Sequence, residues 1–399
     1  QRCCCIFPES KTRNFRNLTM KNILTPIEHL VSPDEQGADF VELFFDLVFV
    51  FAITRITGIT AEHFSAISVV QSVLIFWLIW WGWTQFTWAL NAANTRIAEV
   101  RMGVLIATAV AFVLAASIGE AFSDKVLWFA IPYVIIRVLG LGLYIRVTSN
   151  HKDQQSAATV FALLSITGLV AVIGGAMVSP AQRVIWWLAA IVLDLIASGI
   201  GGRSDGFKLR PKHFAERHGL IVIIALGESL IVAASAIDIQ ERTQALMVNG
   251  GLAVLVTCLL WWSYFSWINE HLEDHFTKTK RGEQGRVARD AYSVMHFPLI
   301  CGIIGMAIGF EKIISHPHDV LSLPVALALG GGYVLFVTFT AASVWRMSKL
   351  FLVPRMIIVL MSAVGIALSV GQPPALAFSI IATGLTALIF IEWKKCRHS

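Results

Sequence analysis

Apolar runs of roughly 18 to 25 residues recur along nearly the whole chain, separated by short polar stretches, and few folds accept that pattern. The hydrocarbon core of a bilayer takes about 20 residues of helix to cross. Transmembrane strands would instead read as segments of about ten residues with alternating polarity, which unbroken apolar runs do not show. Charged residues make up only 14% of the 399 while apolar residues make up 56%, and mean hydropathy is +0.70. A soluble surface needs more charge than that. The expected fold is an all-α integral membrane protein, with the lipid bilayer as its principal partner.

Twelve runs read as transmembrane helices, over 41–59, 66–90, 101–122, 126–147, 157–178, 183–201, 218–237, 246–268, 291–312, 321–345, 351–370 and 374–393. The positive-inside rule tests this count. With both termini on one side, the other side holds Arg55, Lys125, Arg183, Arg242 and Lys312, Arg137 lies inside a helix, and the remaining 25 of 31 basic residues share the side of the termini. A missed helix would flip every later loop and spoil that asymmetry. The chain therefore divides into an N-terminal segment 1–40, a first six-helix half 41–201, a basic loop 202–217, a second half 218–393 and a tail 394–399. The termini, the basic loop and the tail are expected in the cytoplasm, in a cell inner-membrane protein. The net charge of +5 sits in these loops, so it is topology and not a nucleic-acid signal.

Residues 1–40 are polar and carry no apolar core of a cleavable signal. Met20-Lys21 reads as a natural start, which makes 1–19 an extension that is not native. If that stretch is native, Cys3, Cys4 and Cys5 beside a membrane suit acylation. Cys258 and Cys301 fall in apolar runs and Cys396 in the basic tail, so the six cysteines form no disulfide framework.

An internal echo links Trp80-Trp81-Gly82-Trp83-Thr84-Gln85-Phe86-Thr87-Trp88 to Trp261-Trp262-Ser263-Tyr264-Phe265-Ser266-Trp267. The offset covers six helices, and an even number implies two parallel six-helix repeats of the kind many transporters carry. Two aromatic belts at the membrane interface would give the same pattern.

Charges inside a bilayer cost a few kcal/mol each on insertion scales. Glu42 and Asp46 lie one turn apart on a face that Thr57 approaches, with Glu42 near the boundary and Asp46 deeper. Arg137 falls near the middle of the fourth helix, Asp194 in the sixth, and Glu228 near the middle of the seventh, after Gly227. Four acids face one arginine, so pairing leaves carboxylates that need protons, a cation or a polar cavity. An ion-pair network that only braces the helices is the alternative. His296, ahead of Pro298, suits proton relay or a hydrogen-bonded packing role. His271 and His275 have metal-compatible spacing, yet Leu272 stands where a zinc protease needs Glu, and a solvated loop explains them better. His316 and His318 read as loop residues too. The chain has no phosphate-binding loop, dinucleotide fingerprint or Gly-x-Ser-x-Gly elbow, so no cofactor is indicated and an ATP-driven pump is disfavoured.

Two stretches resemble a known family. Phe40-Val41-Glu42-Leu43-Phe44-Phe45-Asp46-Leu47-Val48-Phe49-Val50-Phe51-Ala52-Ile53 is similar to the opening motif of the bacterial low temperature requirement A (LtrA) family. His213-Phe214-Ala215-Glu216-Arg217-His218-Gly219-Leu220, continuing to Ile224-Ala225-Leu226-Gly227-Glu228-Ser229, is similar to its central motif. Asp290-Ala291-Tyr292-Ser293 with His296 and Pro298 also resembles the family pattern. The resemblance runs from about residue 25 to the C-terminus. It implies a polytopic membrane protein named for a growth phenotype, and it supplies no substrate or catalytic assignment. Glu42, Asp46, Glu216 and Glu228 are the acids inside its motifs, whereas Arg137 and Asp194 rest on the physical argument alone.

The expected function is a secondary transporter or ion-coupled permease for a small solute or ion. Its candidate site residues are Glu42, Asp46, Arg137, Asp194, Glu216, Glu228 and His296. A membrane-embedded enzyme or accessory protein acting on lipid or a hydrophobic cofactor is the second reading, and a sensor or scaffold is disfavoured by the lack of a sizeable soluble domain.

Overall fold

Prolines and small polar residues set where the helices begin. Pro180, Pro211 and Pro374 open their helices, and two more helices carry proline in the first turn, where a missing N–H costs little. Asp39, Ser65 and Thr243 cap three others through their side chains, each satisfying a backbone N–H that the helix leaves free. In a computed structural model, residues 37–149, 152–201, 209–238 and 243–398 are described. The expectations for most of the N-terminal segment, for residues 202–208 of the basic loop and for Arg242 lie outside them.

In chain order the helices are α1 (Phe40–Glu62), α2 (Ala66–Ala92), α3 (Ala98–Ala116), α4 (Leu127–Thr148), α5 (Lys152–Ala176), α6 (Pro180–Gly201) and α7 (Pro211–Asp238). There follow α8 (Gln244–Ser263), α9 (Asn269–Lys278), α10 (Arg281–Ala288), α11 (His296–Ser315), α12 (Leu323–Ser348), α13 (Val353–Leu368) and α14 (Pro374–His398). π turns at Tyr264–Ile268 and Arg289–Val294 join α8 to α9 and α10 to α11. No strand occurs among the described residues.

Ten helical spans are long and apolar enough to cross a membrane, and α13 is a shorter apolar helix of 16 residues. The chain is thus an all-α, multi-pass membrane protein. Twelve crossings and two repeats go further than these lengths show. Two boundaries differ from the sequence reading. α7 starts at Pro211 and not near 218, and the stretch 269–290 is mostly two short helices, not an open loop. Hydropathy ends a helix where charges begin, but His213 and Arg217 have buried partners, so the helix continues through them.

α2 runs through the interior, with every residue from Leu74 to Thr87 buried. This corrects the belt reading for its tryptophans: Trp80, Trp81 and Trp83 are all buried, and Trp80 Nε1 donates to Ser293 O at 2.7 Å. Trp261 and Trp262 differ, being 45% and 55% exposed as belt residues would be.

α11 is equally central, packing against α1, α7, α8 and α12. Its contact with α12 is nearly backbone on backbone, because a Cβ at Gly332 would come 2.5 Å from Gly302 O and 2.7 Å from Met306 N. Small residues permit such approach where helix association rests on close packing. Gly332→Leu should therefore lower stability by about 1–3 kcal/mol, read as a drop in melting temperature in detergent. Gly331→Ala, which meets open space, should leave the melting point unchanged.

Candidate functional site

α1 and α7 lie side by side and parallel, and both carry polar residues at matching one-turn spacing. Glu42 and Asp46 on α1 face His213 and Arg217 on α7, all four at 0–1% exposure. Arg217 Nη2 donates to Asp46 Oδ1 at 2.8 Å, and its Nη1 lies 3.3 Å from Glu42 Oε2. His213 Nε2 lies 3.2 and 3.1 Å from the two Glu42 oxygens. From α2, Trp83 Nε1 donates to Asp46 Oδ1 at 2.8 Å, and the Trp83 ring lies 5.8 Å from the Arg217 guanidinium. Glu42 also receives the Asp39 N–H at 3.2 Å, closing the capping box of α1.

The hydrogen bonds fix the state of His213. Asn91 Oδ1 accepts from Arg210 N at 3.0 Å, so its amide nitrogen is the group that faces His213 Nδ1 at 3.2 Å and donates to it. Nδ1 is then an acceptor, and the single imidazole hydrogen sits on Nε2, pointing at Glu42. A neutral His213 leaves two carboxylates sharing one guanidinium, so the cluster is one positive charge short.

Deeper along the same interface, Thr54 on α1 meets Glu228 on α7. Thr54 Oγ1 is 2.6 Å from Glu228 Oε2 and 3.0 Å from Val50 O. Glu228 is fully buried and makes no ion pair among the described residues. Several buried polar atoms along this seam lack any protein hydrogen-bond partner: Asp46 Oδ2, Thr57 Oγ1, Arg217 Nε, His218 Nε2, Glu228 Oε1 and Ser229 Oγ.

Arg137 is placed differently. Its Nη1 and Nη2 each donate to one oxygen of Asp194 at 2.9 Å, Nη1 also reaches Tyr133 Oη at 2.6 Å, and Nε donates to Gln85 Oε1 at 2.6 Å. Every nitrogen is used, so α2, α4 and α6 are tied by a closed network. Arg355 does the same elsewhere, bonding Glu392, Thr340 and Ser263. Asp46 and Glu228 do not share in the Arg137 pair.

His296 and His271 lie outside the seam, in hydrogen bonds of their own. His296 Nδ1 donates to Ala291 O at 3.1 Å, leaving Nε2 to accept from Tyr264 Oη at 2.7 Å, which links the two π turns. His271 lies on α9, packs on Trp267 and bonds Ser348 at 2.9 Å. Glu216 is exposed, and its Oε2 accepts from Ala38 N at 3.1 Å, steadying the entry to α1. Asp290 holds Arg289 and Arg346 at 2.6 and 2.7 Å.

Sequence reasoning misses Arg217 and His213 as site residues because charge density places them in a loop. Their signal was the spacing: cations at i and i+4 on one helix match acids at i and i+4 on another.

The family model described as bacterial low temperature requirement A protein (LtrA) matches residues 37–390. Among curated proteins, the chain is 29% identical over 318 residues to the uncharacterized protein RA0937 of Rhizobium meliloti (strain 1021), covering 77% of each chain. No solved structure matches.

Removing one partner of a buried pair leaves an uncompensated charge, at a cost of about 3–5 kcal/mol. Arg217→Gln should show that loss in a detergent melt. Adding Asp46→Asn to it should recover part of the loss, and a double-mutant cycle measures how much.

Proposed function

The chain belongs to the family of bacterial low temperature requirement A proteins, and we propose that it is an ion-coupled permease whose working part is the seam between α1 and α7. The observation that carries this reading is a contrast between buried charges. Arg137 and Arg355 sit in networks where every guanidinium nitrogen has a partner, as a brace requires. The Glu42–Asp46–Arg217 cluster is short of one positive charge and borders polar atoms with no protein partner. Buried polar groups are nearly always satisfied, so a concentration of unmet ones marks a place where another species or another conformation completes the bonding.

The parallel course of α1 and α7 supports the two-repeat reading, since these helices open the two halves. Twelve crossings and cytoplasmic termini complete the proposal, supported by the basic residues collecting on one side. A cavity of about 690 Å3 lies between α1–α2 and α11–α12, lined by apolar and small residues with Thr60, Ser65 and Ser72. None of the candidate acids lines it, so it supplies no acid–base pair for the enzyme reading.

Two measurements test the proposal. Full-length protein in liposomes holding a pH-sensitive dye, screened against ions and metabolites, should show gradient-driven flux that Asp46→Asn abolishes. That variant keeps the Glu42–Arg217 pair and should melt near the parent temperature. Normal flux in Asp46→Asn would overturn the assignment of the seam. For orientation, cysteines replacing Lys280 and His318 in a cysteine-free background should label from the cytoplasm and the outside, respectively. Labelling of both from one side would end the twelve-crossing arrangement.

A further inference from the structure

Thr54 Oγ1 carries one hydrogen, yet it stands at hydrogen-bonding distance from two acceptors, Val50 O at 3.0 Å and Glu228 Oε2 at 2.6 Å. If Glu228 were a carboxylate, that single hydrogen would have to be shared between two acceptors, weakening both contacts. A protonated Glu228 removes the conflict: the acid donates to Thr54, and Thr54 donates to Val50 O. The orphaned Oε1 is then a neutral carbonyl oxygen and not half of a buried charge, a far smaller burial cost. We infer that Glu228 is a proton-binding site within the membrane, a neutral carboxylic acid that donates a hydrogen bond to Thr54. The inference deepens the permease reading, resting on it only for the claim that this proton is the coupling ion.

The surroundings contain no competing charge. α7 packs on α1, α2, α8, α9 and α11. On α1, Glu42 and Asp46 lie two to three turns away, Glu62 lies two turns beyond Thr54, and Arg55 is exposed on the side toward Gly119. α2 has no ionisable acid or base. On α8 the titratable group is Cys258, on α9 they are Glu270, His271, Glu273, Asp274, His275 and Lys278, beside the Phe214 end of α7, and on α11 they are His296, Cys301, Glu311 and Lys312. None bonds or pairs with Glu228 among the described residues. Thr57, one turn beyond Thr54 on the same helix, and Ser229 beside Glu228 each keep a buried hydroxyl without a partner, so the site has polar atoms to receive a proton in transit.

A hydrophobic carbodiimide tests this directly, because the O–H of a neutral carboxylic acid adds across its C=N bond and no group leaves. Full-length protein in liposomes would be treated with dicyclohexylcarbodiimide across a pH series and its peptides analysed by mass spectrometry. The expected result is labelling at Glu228, with Glu42 and Asp46 at least tenfold lower, and a fall of about tenfold per pH unit above the midpoint. No labelling of Glu228 at low pH would overturn the inference. So would a tenfold suppression when sodium replaces potassium at fixed pH, which would mark a cation site. Glu228→Gln, whose amide donates to Thr54 as the acid does, should melt no lower than the parent; a clear drop would count against a neutral acid. Labelling without any flux would sink the permease and keep the site, and flux with Glu228 unlabelled would do the reverse.

Discussion

A charge placed in hydrocarbon has to be met by the protein itself, and the helix arrangement follows from where those meetings occur. Arg137 with Asp194 fixes α4 to α6, Arg217 with Asp46 fixes α7 to α1, and Arg355 with Glu392 fixes α13 to α14. α2 stands between the first two. Its Trp83 bonds Asp46 and its Gln85 bonds Arg137, two residues apart and therefore on nearly opposite faces. A helix that runs through the interior is thus the one whose polar side chains serve two separate ion pairs.

The same accounting separates fully bonded cations from a cluster that is short of one. A guanidinium with all its nitrogens bonded holds helices in one geometry and gains nothing by moving. Two carboxylates held by one guanidinium and a neutral imidazole are different, since they outnumber the cation between them. Along α1 between Asp46 and Thr54, Phe49, Ala52 and Ile53 are buried and apolar. Asp46 and Thr54 are eight residues apart, about 12 Å along the helix, so the two acidic positions are separate stations and not one pool of charge.

Much of this is legible in the sequence. Apolar run length is a one-dimensional signal, so the membrane class and the helical fold followed from it directly. The buried acids were equally visible, because a carboxylate in an apolar run is conspicuous. Partners were not. Arg217 looks like an ordinary loop cation until α7 is extended to Pro211, and only then does its spacing from His213 match that of Glu42 and Asp46. The missing cation made the acids look more numerous relative to bases than they are. Thr54 carried no signal at all: a threonine in an apolar helix ordinarily bonds its own backbone, and only the approach of α7 shows that it also meets Glu228. Trp80 and Trp83 misled for a related reason, since an aromatic run at a helix end looks alike whether lipid or protein surrounds it.

The close seat of α11 on α12 bears on temperature. Burial of apolar surface from water weakens on cooling. Helices already in lipid associate instead through van der Waals packing and hydrogen bonds, and contacts as tight as that of Gly302 with Gly332 draw on attraction that cold does not diminish. Where α11 meets α12 this way, the joint does not loosen by the route of cold denaturation, and a chilled cell would keep this central pair locked together.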